Sequence, residues 1–307
     1  MTFFFSPEKL RKYLEREELN QRLERWHEDQ ARLILQYGSF VGSAIEHHCT
    51  LDRTMPQARA HIEAQEKNSV SVVNGTVFLA ESLSGSKGRF TRIWHAPSGG
   101  LWGSIIYIST LLPRYRILVP LAVGVACCEA MREHGAGNAV IRWINDVLIG
   151  NRKVGGFLTE NFTGPTSGED YCVLGFGINL NNQQFPDHLN QIATSLSLET
   201  GRKIDLEFFF TCFLAKLSWN LGLLYWWEAK QLDWLYEVGA EAEHPLISSW
   251  KELSDTLGRK VVFGFDVQTE PQYQAVVKGI TNDGGLKLAL KDGGENIEYS
   301  GEIRYLD

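Results

Sequence analysis

The sequence predicts an α+β protein: a mixed β-sheet domain with packed helices, followed by a small C-terminal β-barrel. Three observations carry this. Within residues 140–161, two β-rich runs flank Gly150-Asn151, a pair that tolerates the positive φ of a tight hairpin. Further hairpins follow with few helices between them, which argues against a doubly wound parallel sheet. Residues 247–307 then break into short apolar runs separated by Asn282-Asp283-Gly284 and Asp292-Gly293-Gly294, both turn signals.

In chain order, residues 1–40 read as a helical extension. Leu10, Tyr13 and Leu14 recur at helical spacing, and Gly38 supplies a stop. This stretch suits a packing or dimer arm. Residues 41–246 form the main domain. Residues 75–81 are a buried strand, and Trp102, Ser104 and Ile106 alternate with Leu101, Ile105 and Tyr107 as in a central strand. Residues 121–135 have apolar and small residues at helical spacing, capped by Gly135. Residues 171–182 hold an apolar run that reaches Asn179. Asp205 caps a long aromatic-rich helix reaching about residue 229. The runs at 261–265, 273–277, 285–290 and 299–302 are the strands of the last domain, residues 247–307.

Composition narrows the function classes. The chain of 307 residues has 44% hydrophobic and 22% charged residues, an ordinary globular balance. Its net charge of −7 argues against a nucleic-acid partner, which needs a basic face. The apolar runs are too short for a membrane span, and Met1-Thr2-Phe3-Phe4-Phe5 lacks the charged start of a signal segment, so a cytoplasmic protein is expected. The five cysteines are odd in number and lack metal-ligand spacing, as reduced thiols would be.

Charged and amide residues interrupt the hairpin: Arg142, Asn145, Asp146, Arg152 and Lys153. Period-2 alternation sets Lys153 on the face of Gly155, where a glycine leaves an open floor beneath an ammonium. Residues 82–94 form a Gly/Ser loop with three cations, Lys87, Arg89 and Arg92, and a closing Trp94. Such a loop suits an anionic, nucleotide-like ligand.

Arg142-Trp143-Ile144-Asn145-Asp146 and Arg152-Lys153-Val154-Gly155-Gly156 resemble, in order and spacing, the central signature of the biotin protein ligases, with Ile144 in place of a proline. The loop keeps that family's pattern at Lys87, Gly88, Arg89, Arg92 and Trp94. It departs from the pattern at Leu83, Ser86 and Thr91. Residues 51–58 resemble the segment lining the family's biotin pocket, matching at Thr54 and Ala58, with Arg53 where the family has serine. Residues 96–107, which include Trp102, and the strand ending at Asn179 also resemble family segments. The resemblance runs from about residue 41 to the end, and it makes the last domain an SH3-like barrel.

The resemblance implies a ligase that joins ATP to a small carboxylic acid, biotin first among candidates, and passes the acyl group to a lysine of an acceptor protein domain. Holding a carboxylate against an α-phosphate requires placed cations and dry walls. Lys153 would bridge the two anions and Asp146 would assist the incoming lysine. Arg53, Thr54, Leu83, Trp102, Gly155 and Gly156 would meet the acid. Lys87, Gly88, Arg89, Arg92, Trp94, Arg142, Asn145 and Asn179 would meet the nucleotide, with Arg89 also catalytic and Asn179 acting through Mg²⁺. No nucleic acid or membrane partner is expected; a homodimer is one role that the helical extension suits. The departures favour as alternatives a relative using a lipoate- or octanoate-like acid, or a non-catalytic ligand-binding homologue.

Overall fold

The computed structural model describes residues 5–233 and 242–306; residues 1–4, the beginning of the segment read above against a signal peptide, lie outside them. The chain opens with α1 (Pro7–Tyr13), a π-turn (Leu14–Glu18), α2 (Leu19–Arg22) and α3 (Glu28–Tyr37). Ser6 caps α1 by accepting from the Glu8 N–H, and Gly38 caps α3. Next come β1 (Ile45–Leu51), α4 (Thr54–Lys67), β2 (Val77–Leu83) and β3 (Leu101–Ile108). They are followed by α5 (Pro113–Arg116), α6 (Val119–Glu133), β4 (Ala139–Arg142), β5 (Asp146–Ile149), β6 (Arg152–Thr163) and β7 (Asp170–Ile178). Then come α7 (Leu196–Thr200), α8 (Leu206–Leu232) and α9 (Pro245–Leu253).

The seven strands order as β1-β2-β3-β7-β6-β5-β4. The β1–β2 pair is parallel and every other neighbouring pair antiparallel, so the sheet is mixed as predicted. Strand alternation gives the sheet two apolar faces. On one, Leu79, Ile105, Leu174 and Phe157 join the main core with α6 and α8. On the other, Phe78, Ile106 and Val173 pack against Ala58 and Ile62 of α4. By length and composition α8 could cross a membrane, but 89% of its most apolar window is buried inside the fold. It is a core helix, and α1 and α3 pack on it. Asp205 caps it through the Phe208 N–H, as read from the sequence.

The last strands are β8 (Lys260–Gly264), β9 (Tyr273–Ile280), β10 (Leu286–Leu290), β11 (Glu295–Glu298) and β12 (Glu302–Tyr305). They form an antiparallel sheet ordered β11-β10-β9-β8-β12, consistent with an SH3-like fold; no ladder joins β11 to β12 among the described residues. One expectation is corrected. Of the strand expected at 299–302, residues 299–301 are instead the bend between β11 and β12, where Gly301 adopts a φ of 114°, and Glu302 opens β12. Core residues of this sheet, among them Val261, Phe263 and Leu286, belong to the same apolar cluster as the main sheet. Helix α9 crosses the expected unit boundary at 247 and packs against α6 and β4.

Candidate active site

The Gly150-Asn151 hairpin forms as expected, with φ of 55° and 66° at its two residues. Beyond it, β6 departs from regular alternation. Leu148 pairs with Lys153, but the next partner of β5, Val147, pairs with Gly155, leaving Val154 as a bulge. The bulge turns Lys153 off the face that strict alternation would give it. Gly155, expected as the floor under the amine, faces the core instead: a methyl there would stand 3.4 Å from Cys127 Sγ. The floor is Gly156, where an added Cβ would lie 2.8 Å from Lys153 Cε and 3.0 Å from its Nζ.

Around this amine the sheet surface is paved with glycine. Trp94 lies over Gly156 and Gly177, and Lys153 Nζ sits 5.1 Å from the Trp94 ring centroid. Met55, in the first turn of α4, covers Gly175. Between α4, the 84–94 loop and the sheet lies a cavity of about 340 Å³. Its walls bring together the acid-binding candidates Arg53, Thr54, Leu83, Trp102 and Gly156 with Lys87, Gly88, Arg89, Arg92, Trp94, Asn145 and Lys153. A larger cavity, about 630 Å³, shares Arg89, Asn145, Phe157 and Leu158 but contains neither Lys153 nor Gly156. The chemistry therefore assigns the smaller one as the site.

Charge is concentrated at the Lys153 end. Lys153 Nζ lies 2.5 Å from Asp146 Oδ1, and Arg142 donates to Asp146 Oδ2 at 2.6 Å. Burial pushes the Asp146 carboxyl up, but the two cations outweigh it and hold it at about 2. Arg142 reaches the cavity only through Asp146: it is absent from the lining, and its guanidinium lies over Tyr305. The sequence places Arg142 among the nucleotide-binding residues; here its guanidinium is paired to the Asp146 carboxylate at the edge of the site. The Trp143–Ile144 peptide just before Asn145 is cis.

The 84–94 loop is tied to the second sheet. Arg89 donates to the Gly301 carbonyl at 2.7 Å, and Arg92 makes a bidentate pair with Glu302 and a further bond to Asp266. Burial lowers the Arg89 guanidinium from its ordinary value, while for Arg92 the two carboxylates overcome burial and raise it. Of the two, Arg89 is the cation whose hydrogen bonds leave it freer to meet an anion.

Asn179 is buried at 3% exposure, off the lining of either cavity. Its N–H donates to Val154 and its carbonyl accepts from Leu196, while its Oδ1 has no protein partner. No group of three His, Cys, Asp or Glu side chains suited to a metal occurs among the described residues. One carboxamide oxygen is too small a donor set for Mg²⁺, which demands octahedral oxygen coordination. The residues present do not fit a protein-held ion.

Sequence reasoning missed several lining residues. Gly175 and Gly177 could have been found from their period-2 spacing in β7. Leu189 and Ile192 arrive because the Lys153 N–H donates to the Ile192 carbonyl, a pairing with no local signal. Glu302 lies 210 residues from Arg92 and is equally invisible in the sequence.

Residues 52–179 match the family model described as "Biotin/lipoate A/B protein ligase family". Among curated proteins, the chain is 34% identical over 171 residues to "Bifunctional ligase/repressor BirA" of Bacillus subtilis, covering 54% of this chain and 50% of that protein. It is 30% identical over 225 residues to "Biotin--[acetyl-CoA-carboxylase] ligase" of Paracoccus denitrificans, covering 68% of this chain and 82% of that protein. The match thus spans about half the length of the Bacillus relative and most of the Paracoccus one. Among solved structures, the fold resembles "Biotin protein ligase from Aquifex aeolicus in complex with biotin and ATP", with a TM-score of 0.65 at 22% identity over 85% of this chain and 98% of that one.

Proposed function

Because the chain belongs to the biotin/lipoate A/B protein ligase family, we propose that it is an ATP-dependent biotin ligase: it adenylates biotin and transfers the biotinyl group to a lysine of an acceptor protein domain. The single observation carrying this reading is Lys153, an ammonium resting on the Gly156 floor in the wall of a cavity that it shares with the cationic loop.

The first step must bring a carboxylate within bonding distance of an α-phosphate although the two repel. Asp146 holds Lys153 through their 2.5 Å ion pair. The amine is aimed there and can turn to two incoming anions without being built into place by them. Arg89 and Lys87 face the same space and suit the nucleotide side. In the second step Asp146 orients the acceptor amine. A carboxylate held at about 2 is a weak base at neutral pH, so hydrogen-bond acceptance is its better use. No step here is assigned to Mg²⁺.

The acceptor is a lysine-bearing domain of a carboxylase, the partner named for the Paracoccus relative. The net charge of −7 and the helices packed on α8 support a ligase without a repressor role. We keep the division into residues 1–40, 41–246 and 247–307, and a cytoplasmic setting for the five unbonded cysteines. A homodimer remains part of the proposal, checked by sedimentation.

The test is ATP–pyrophosphate exchange with biotin, lipoate and octanoate. Exchange with biotin is expected, and Lys153→Ala should abolish it with the fold intact by circular dichroism. Undiminished exchange in that variant would remove Lys153 from the chemistry.

A further inference from the structure

We propose that Glu199 is a positioning residue for the reaction: its carboxylate clamps the 192–194 segment to the main chain of Lys153 and so fixes where the ammonium stands. This rests on the adenylating reading of Lys153 and adds to it a residue that lies off the cavity lining.

Lys153 sits where the sheet runs out. β7 pairs with β6 as far as Ile178 opposite Gly155, and the Asn179 N–H then reaches the Val154 carbonyl at 2.8 Å. Lys153, one residue further, stands opposite Leu148 of β5, next to the bulge. Its N–H donates to the Ile192 carbonyl at 2.8 Å, and its carbonyl accepts from the Thr194 N–H at 3.0 Å. Both main-chain groups therefore point away from β5, and the pair with Leu148 is of the kind without hydrogen bonds. The 192–194 segment takes the place of the missing strand, yet its pairing is a single parallel bridge, Lys153 with Ala193. So short a ladder is marginal unless something else holds it.

Glu199, on α7, supplies that hold. Its Oε1 accepts from the hydroxyl of Thr194, the residue after the bridged Ala193, and from the guanidinium of Arg152, the residue before Lys153. One charged oxygen thus ties both sides of the bridge, through bonds stronger than neutral ones. Local stability does not explain the arrangement. The cap of α7 is Ser195, which accepts from the Leu198 N–H, so the helix starts without help from Glu199. The Arg152 side chain is 42% exposed, and an ion pair that open contributes less than ~1 kcal/mol. What the clamp governs is place. With Thr194 fully buried beside it, the main chain of Lys153 is gripped from the side that β7 leaves open, and Ile192 is carried into the cavity wall.

The test combines pyrophosphate exchange with biotin and amide hydrogen exchange, in the full-length protein and in Glu199→Ala, Glu199→Gln and Thr194→Val. Glu199→Ala should lower kcat by ~10- to 100-fold, the cost of displacing a reacting group by about 1 Å, with KM changed less than kcat. Glu199→Gln, whose carbonyl still accepts from both donors, should recover most of kcat. Thr194→Val, which keeps the ion pair and the volume, should lose a smaller part. In Glu199→Ala the Lys153 and Thr194 amides should exchange at least ~10-fold faster, while the Phe157 amide, bonded to the Asn145 carbonyl, keeps its rate. A merely structural glutamate would release all three together or none. Unchanged amides in Glu199→Ala, or released amides with an unchanged kcat, overturn the assignment. Should Glu199→Ala not fold, Thr194→Val is judged by the same two amides. If wild type exchanges pyrophosphate with no acid, the adenylation reading falls by itself, and the amides alone uphold or overturn the clamp.

Discussion

The bulge in β6 makes a sharp forecast about two adjacent glycines. In Gly156→Ala the new Cβ would stand 2.8 Å from Lys153 Cε, 3.0 Å from Nζ and 3.1 Å from Trp94 Cζ3. Ordinary carbon contacts begin near 3.4 Å, so the amine must retreat by more than ~0.5 Å. The atoms that give way are the far end of a flexible side chain, so folding should lose less than ~1 kcal/mol. Catalysis should lose far more, because a reacting group misplaced by ~1 Å costs on the order of 100-fold. In Gly155→Ala the nearest atom is Cys127 Sγ at 3.4 Å, on the core side, and nothing on the Lys153 side is touched. That variant should keep pyrophosphate exchange within a few-fold of wild type. The assay is exchange at saturating ATP and biotin, with urea denaturation as the control for stability. If Gly155→Ala abolished exchange while Gly156→Ala kept it, the face assignment of Lys153 would be wrong, and with it the site.

Two further outcomes follow from buried charge. Lys216, 5% exposed on α8, lies 2.7 Å from Glu18 in the π-turn and 3.0 Å from Glu133 on α6. Lys216→Met should destabilise the fold by about 3–5 kcal/mol by leaving those carboxylates short of a cation; a loss below ~1 kcal/mol in urea titrations would refute this. His244 is 2% exposed and its Nδ1 accepts the Leu246 N–H at the start of α9, and burial pushes its imidazole down to about 3 from 6.5. Below pH 6.5 the unfolded chain binds a proton that the native state refuses, so stability falls as pH drops towards 3, by about 1.4 kcal/mol per pH unit. In His244→Asn, whose carboxamide can still cap α9, that portion of the slope should vanish; an unchanged acid limb would show that His244 does not supply it.

Local sequence determined a good deal here. The turn chemistry at Gly150-Asn151, the Asp205 cap and the strand alternation of residues 101–107 are short-range facts, decided by φ preference, hydrogen-bonding side chains and pleat. Each formed as read. The cations of the 82–94 loop and the Lys153 region were likewise visible as charge placed where burial would otherwise want Val or Ile. The tertiary structure alone decided which glycine lies beneath the amine. Alternation carried Lys153 to the face of Gly155, and only the unequal pairing of β5 with β6 reveals the extra residue that reverses it. It also decided the use of Arg92, which pairs with Asp266 and Glu302 because the second sheet docks beside the loop. It set Arg142 behind Asp146 rather than in the cavity. In each of these cases the deciding partner is a register or a charge brought close by folding, and the periodicity of one strand carries no information about the strand that will lie against it.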